Sequence, residues 1–154
     1  MNYTLILHNI LRWAVLLFGL WAVFNAFRGI SGKKLYTAND NRTSLIFMIC
    51  CDIQLVAGLI LYFNGPWFKL LTNNTKEVMR DSAMRFFAME HILVMLIAWI
   101  LVHIGRTAVK RSVGDNQKHK KSLIYFGIAL LLILIMIPWY FRQPGIARPL
   151  FPQF

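Results

Sequence analysis

The sequence predicts an all-α integral membrane protein, folded as a four-helix up-and-down bundle. Of its 154 residues, 58% are hydrophobic and only 15% are charged, which is too apolar for an ordinary soluble domain. Four segments also reach the length of about 20 apolar residues that a bilayer-spanning helix needs. They cover residues 4–27, 45–63, 83–105 and 123–140. Because the connections are short, successive spans should be antiparallel neighbours within a single domain over residues 1–154.

The first three spans each present a stripe of small or polar residues at helical spacing. In span 1 the stripe runs from His8 and Arg12 through Gly19 to Ala26. Span 2 carries Cys51, Gln54, Gly58 and Leu61 on one face, and span 3 carries Met84, Ala88, His91, Met95, Ala98, Val102 and Gly105. Such stripes are expected to face the bundle interior, either for close helix packing or to leave room for a flat cofactor. Span 4 is almost unbroken in its apolar character and is expected to pack and to face lipid.

Cationic residues between the spans predict the orientation. The connections after spans 1 and 3 hold ten of them: Arg28, Lys33, Lys34, Arg42, Arg106, Lys110, Arg111, Lys118, Lys120 and Lys121. The opposite side holds fewer, namely Lys69, Lys76, Arg80, Arg85, Arg142 and Arg148. The positive-inside rule then places the basic connections in the cytoplasm and both termini on the outer, periplasmic side of a bacterial inner membrane. The net charge of +11 therefore indicates the orientation of the chain in the membrane, and no nucleic-acid partner is expected.

The connection after span 2 and the C-terminal tail are predicted to lie outside the spans. The connection follows a Gly-Pro breaker and spaces Trp67, Phe68, Leu70, Leu71, Val78 and Met79 among polar residues, a pattern typical of a short amphipathic helix on the membrane surface. The tail "RQPGIARPLFPQF" contains three prolines and cannot form a helix. It is a candidate partner contact.

Ionisable residues inside the spans are the candidate functional residues, because such groups are costly in a bilayer. His8 is expected in the outer quarter of span 1, and Arg12, Glu90, His91 and Gln54 are expected somewhat deeper, at similar levels. His8 and His91, from spans 1 and 3, are therefore expected to meet across the outer half of the bundle. Two imidazoles that converge on a bundle axis can ligate haem iron. This predicts a haem b site with His8 and His91 as iron ligands, and with Arg12 paired to a propionate.

A structural interpretation of the same residues stays open. A histidine in a span can be a hydrogen-bonded packing residue, and Arg12 with Glu90 can be a buried ion pair that fixes helix register. Asp52 is expected to accept a hydrogen bond, to pair with Arg12 or to take part in proton transfer. His103 does not share a helix face with His91, and His119, within "KHKK", is expected to belong to a solvated basic cluster. No second haem is predicted.

Several stretches resemble a group of small bacterial four-helix membrane proteins, frequent in the Bacteroidetes, that are called cytochrome B or cytochrome-b-like. The matching stretches are "LHNILRW", "DIQLVAGLILYF", "RFFAMEHILVMLIAWILVHIG" and "LLLILIMIPW". The resemblance implies a membrane-embedded haem b protein that transfers electrons, with histidine ligands. On this sequence those ligands correspond to His8 in "LHNILRW" and His91 in "MEHILVM".

Two functions are therefore carried forward. The first is a b-type electron carrier or small redox subunit, with one haem near the outer face and a quinone or a redox protein as partner. The second is a non-enzymatic accessory or assembly subunit of a larger membrane complex or homo-oligomer, in which the intramembrane Arg, Glu and His residues are structural contacts. No hydrolase or metalloprotease motif is present, and no catalytic residue is predicted. A small transporter with Asp52 or Glu90 as proton carrier is disfavoured, since there is no internal repeat.

Overall fold

A computed structural model describes residues 3–151, and within that range the regular structure is helical. The elements in chain order are α1 (Tyr3–Ser31), α2 (Ala38–Asn64), α3 (Trp67–Asn73), α4 (Thr75–Arg80), α5 (Ser82–Arg85), a π-helical turn (Phe86–Glu90), α6 (His91–Lys110) and α7 (Asp115–Met136). The segment from α5 through α6 is one continuous helix, Ser82–Lys110.

Four of these helices are long and apolar enough to cross a membrane: Tyr3–Ser31, Ala38–Asn64, Ser82–Lys110 and Asp115–Met136. The predicted all-helical fold with four spans is thereby confirmed, although each helix extends beyond its predicted apolar segment except at the end of α7. The orientation across the membrane stays a prediction. We therefore name the ends by their contents: the basic end carries the α1–α2 and α6–α7 connections, and the tail end carries α3, α4 and the C-terminal tail.

The four long helices form a ring in which α1 packs against α2 and α7, and α6 packs against the same two helices. The contact between α2 and α6 is the least extensive of the four, and α1 and α6 lie at opposite corners. The stripe predicted on α1 is buried as expected, with Arg12, Val15, Gly19, Ala22 and Ala26 in the interior. The perimeter is apolar and suited to lipid; its exposed side chains include Leu17, Leu20, Phe24, Ile53, Ile97, Ile104, Ile128 and Leu131.

The third span contains a π-helical turn immediately before His91. The backbone N–H of His91 bonds to the carbonyl of Phe86, five residues earlier, which inserts one extra residue into the turn. Tyr62 of α2 donates to the carbonyl of Ala88 within this turn at 2.8 Å. The π turn therefore changes the direction in which the His91 side chain projects from the helix. The sequence pattern did not predict this turn.

Helix α7 ends at Met136, four residues before the predicted end of span 4. The cause is Pro138, which disfavours helical backbone at the preceding residue, and Ile137 is extended with ψ 131°. The described part of the tail, up to residue 151, contains no helix, as predicted, and folds back over its own bundle. Ile146 of the tail is buried at 4% exposure.

The surface connection forms two short helices instead of one. Helices α3 and α4 meet at Asn74, whose backbone has φ −128° and ψ 41°. Val78 of α4 is fully buried, which attaches this connection to the tail end of the bundle. The start of α2 is fixed by a capping box, in which Thr37 and Asp40 exchange side-chain and backbone hydrogen bonds.

Candidate functional site

His8 of α1 lies against α2 near the tail end of the bundle. The Nε2 atom of its imidazole is 3.3 Å from Nε2 of Gln54, and the same Gln54 nitrogen donates to the backbone carbonyl of His8 at 3.1 Å. A Cβ atom on Gly58 would lie 3.3 Å from Cε1 of the ring, so the glycine leaves room for the imidazole. Two polar atoms are left buried without a partner, Nδ1 of His8 and Oε1 of Gln54.

His91 caps the end of α7 from the neighbouring helix. Its Nδ1 atom lies 2.9 Å from the carbonyl of Met136, the last residue of α7. Because a carbonyl can only accept, Nδ1 carries the hydrogen and the lone pair of a neutral ring is on Nε2. This is the tautomer that a histidine adopts when a backbone carbonyl orients it as a metal ligand.

The end of α7 is satisfied by an unusual set of donors. The last four carbonyls of a helix lack partners within it. Here they accept from the backbone N–H of Ile137, from Nε1 of Trp139, from the guanidinium of Arg142 and from His91. Three of these donors are side chains, and the fourth is the first residue after the helix. His91 therefore has a structural role whether or not it has a further one.

His8 and His91 lie on diagonally opposite helices of the bundle. Their helices, α1 and α6, occupy opposite corners, and both residues lie towards the tail end. Gln54 from α2 and Met136 from α7 contact the two rings from the flanking helices. Both histidines lie in the tail-end half of the bundle, and their convergence on one ligand stays a prediction.

Arg12 is buried, with 6% exposure, and has no carboxylate partner among the described residues. Its guanidinium donates to the backbone carbonyl of Leu150 in the tail at 2.5 Å, and Trp13 donates to the same oxygen at 3.1 Å. Phe151 stacks on Trp13 with ring centroids 5.5 Å apart. Arg12 thus holds the tail on the bundle, a contact the sequence did not suggest.

Glu90 pairs with Arg85 and not with Arg12. The Arg85 Nε to Glu90 Oε1 distance is 2.7 Å, and both side chains are 36% exposed. The alternative in which Arg12 and Glu90 form a buried ion pair is therefore not what the structure contains. Within residues 3–151, no carboxylate neutralises the positive charge of Arg12.

Asp52 forms a separate cluster in the middle of the α2–α6 contact. Its Oδ1 atom accepts from Nε1 of Trp99 at 2.6 Å and lies 3.3 Å from Nε2 of His103. The Asp52 side chain is 39% exposed and that of His103 is 35% exposed. The expectation that Asp52 accepts a hydrogen bond holds, and it pairs with His103 instead of Arg12.

His119 is buried, and its prediction as part of a solvated cluster is wrong. The side chain has 1% exposure and lies against Gly29 of α1. The error arose because the flanking lysines indicate a solvated helix start, whereas α7 already begins at Asp115 and turns this one residue inward. Among the described residues, neither ring nitrogen has a hydrogen-bond partner, and the same is true of Oγ of Ser122 and Nδ2 of Asn25 beside the same small polar cavity.

Within residues 3–151, no group of three or more His, Cys, Asp or Glu side chains is placed to hold a metal ion. The pair His8 and His91 would supply two imidazole nitrogens, which is too few to hold a bare metal ion and is the number that the iron of haem b would need from the protein. The donor chemistry therefore suits haem better than a bare metal ion.

No family model, no curated protein and no solved structure matches this chain. Membership of the cytochrome-b-like group accordingly stays a prediction from the sequence motifs.

Proposed function

We propose that the tail-end half of the bundle binds one haem b between His8 and His91, and that the chain is a small membrane electron-transfer subunit. The observation that carries the proposal is the position of these two imidazoles in the tail-end half of the ring, on diagonally opposite helices, with His8 held against Gln54 and His91 against the Met136 carbonyl. Haem bound there would supply one-electron redox chemistry within the membrane.

His91 is the better preorganised of the two proposed ligands. Its bond to the Met136 carbonyl fixes the ring and leaves Nε2 free to ligate. His8 needs a local change, because Nε2 of its ring lies against Nε2 of Gln54. A 180° rotation of the His8 ring about χ2 would turn Nε2 away from Gln54 and bring Nδ1 to the side of the Gln54 amide, whose Oε1, once that amide also rotates, would accept from Nδ1–H. Both of those atoms are now buried without a partner.

Arg12 supports the proposal through its charge. A buried guanidinium without a carboxylate is costly, and haem b carries two propionates that such a group can bind. One turn of helix separates Arg12 from His8, so the cation lies beside the proposed ligand. The tail, held by Arg12 and Trp13, would limit the access of water to the same region.

The test is an absorption spectrum of the full chain purified from haem-replete cells, oxidised and then reduced. We expect a Soret band that shifts on reduction and the spectrum of low-spin, six-coordinate haem. His8→Ala and His91→Asn should abolish it. Asn is chosen at position 91 because its amide can still donate to the Met136 carbonyl, so the end of α7 stays satisfied.

His103→Gln is the matched control, since His103 is an intramembrane imidazole outside the proposed site. It should keep the full spectrum. A folded, colourless wild-type preparation would overturn the proposal, as would an unchanged low-spin spectrum in both ligand variants.

The second function, a subunit of a larger membrane assembly, is favoured by the Asp52 cluster. A carboxylate at the middle of a span that is more than a third exposed is unfavourable against lipid. A neighbouring helix that covers Asp52 and His103 would remove this cost. We expect the wild-type chain in a mild detergent to run as a larger species than Asp52→Leu in size-exclusion chromatography with light scattering. An identical monomer mass for both would count against it.

A further inference from the structure

Buried Arg106, at the basic end, also lacks an acidic partner. It lies in α6 with 5% exposure, and its Nη1 atom donates to Oδ1 of Asn41 at 2.6 Å and to Oγ of Ser44 at 2.8 Å. Its Nε atom is buried without a partner, and no carboxylate in residues 3–151 forms an ion pair with it. Neutral oxygens solvate this cation without neutralising it, so an anion nearby would be stabilised.

An open recess of about 340 Å³ lies next to Asn41, the residue that Arg106 holds. Its wall contains Asn41 together with Tyr36, Thr37, Ala38, Val109, Lys110 and Lys118, and Arg106 lies behind Asn41. The volume is within the range of small-ligand sites. Two lysines in the wall and a buried guanidinium behind it make the recess strongly positive.

The two lysines of the wall are free to bind an anion. Among the described residues neither has a carboxylate within ion-pair distance, and Lys118 lies 5.7 Å from the Tyr36 ring centre. Asp40 is already engaged by the backbone and the hydroxyl of Thr37, and Asp115, three residues before Lys118 in α7, forms no ion pair with it. Among the described residues, no carboxylate therefore forms an ion pair with the lysines of the recess wall.

The position of the recess points to a lipid and not to a free anion. Its walls come from the ends of α2, α6 and α7, at the junction between the polar connections and the apolar perimeter. The next turns of α2 and α6 expose Ile46, Ile49, Ile100 and Ile104, an apolar surface on which acyl chains can lie. Basic pockets between spanning helices are suited to anionic headgroups.

We propose that this recess binds the headgroup phosphate of an anionic phospholipid, with Lys110 and Lys118 as direct contacts and Arg106 as the buried charge behind them. The proposal is independent of any haem site, since it concerns the other end of the bundle. It also does not depend on which function the tail-end half performs.

The test is thermal unfolding of the full chain reconstituted in nanodiscs of phosphatidylcholine, with or without phosphatidylglycerol or cardiolipin. We expect the anionic lipid to raise Tm by at least about 3 °C, as a ligand that binds only the folded state does. Native mass spectrometry should show retained anionic lipid on the wild-type chain. Lys110→Gln with Lys118→Gln should lose both effects.

Lys34→Gln with Lys120→Gln is the matched control, because it removes the same charge from exposed positions of the basic end outside the recess. It should keep the Tm rise. Equal losses in the two double variants would overturn the proposal in favour of diffuse attraction. An equal Tm rise with inorganic phosphate in phosphatidylcholine nanodiscs would overturn the lipid as the ligand. Lys118→Gln alone provides a second variant should the double variant unfold.

Discussion

The imidazole of His119 lies directly against the backbone of Gly29, so that a Cβ atom at position 29 would overlap the ring atoms Cγ, Nδ1 and Cε1. This contact joins α7 to α1 at the basic end, and the ring has 1% exposure. We expect Gly29→Ala to destabilise the folded chain by about 1–3 kcal/mol, because the ring is enclosed and cannot move away. Thermal unfolding in detergent measures the change as a fall in Tm.

Gly127 provides the control for this prediction. It also lies within a spanning helix, α7, but nothing lies within 4 Å of a Cβ atom placed there. Gly127→Ala should therefore be neutral or stabilise the helix by up to about 1 kcal/mol. A Tm for Gly29→Ala equal to that of Gly127→Ala would show that the ring does not occupy this position.

The buried face of α1 was predictable from the sequence because it depends on helical period alone. Arg12, Val15, Gly19, Ala22 and Ala26 repeat at spacings of three and four, and each is interior. The partners of these residues were not predictable in the same way. Arg12 and His91 donate to backbone carbonyls, those of Leu150 and Met136. Because every residue has a backbone carbonyl, the sequence does not indicate which one accepts.

The burial of His119 could have been predicted from a feature of the sequence. Gly29 continues the α1 stripe one turn beyond Ala26, and a glycine on a buried face indicates close approach by another element. The length of α7 was the missing information, because its polar first turns extend the helix past the apolar segment and bring His119 to the level of Gly29.

The π turn before His91 could not be predicted from the sequence, since neither its composition nor its spacing departs from an ordinary apolar helix.

Gln54 is predicted to tune the proposed haem site as the hydrogen-bond partner of His8. In the haem-bound arrangement proposed above, Gln54→Leu removes the acceptor for Nδ1–H of His8, and outer-shell losses of this kind weaken metal binding by about 10- to 100-fold. We expect the haem dissociation constant, measured by titration of haem into the apoprotein, to rise by at least about 10-fold. Gln54→Glu keeps an acceptor and should stay close to wild type. Equal affinities for wild type and Gln54→Leu would contradict the role of this side chain.

Arg12 is predicted to hold the C-terminal tail on the bundle. Arg12→Leu removes the charged donor to the Leu150 carbonyl, a kind of bond worth about 1.5–3 kcal/mol. Amide hydrogen exchange over residues 142–151 should then accelerate by about 10-fold or more. Trp13→Phe keeps the ring that stacks on Phe151 and loses one donor, so a smaller acceleration is expected.

Arg80→Leu is the control for this effect, because Arg80 is exposed at the same end of the bundle without a described contact to the tail. Its exchange over residues 142–151 should match that of wild type. Unchanged amide exchange in Arg12→Leu would show that the stacking and apolar contacts of the tail hold it on the bundle without the Arg12 guanidinium.

The predicted orientation can be tested with cysteines at the two ends of the bundle. The native thiols, Cys50 and Cys51, both lie within α2, and Cys50→Ala with Cys51→Ala gives a background without reactive thiols. Asn73→Cys then reports the tail end and Val113→Cys the basic end, both at exposed positions.

The ten cations of the basic end predict that it faces the cytoplasm. A membrane-impermeant maleimide added to intact cells, with the outer membrane made permeable, should therefore label Asn73→Cys. Val113→Cys should react only after the inner membrane is opened. The reverse pattern would place the tail and His8 on the cytoplasmic side, and the proposed lipid recess would then face the periplasmic leaflet.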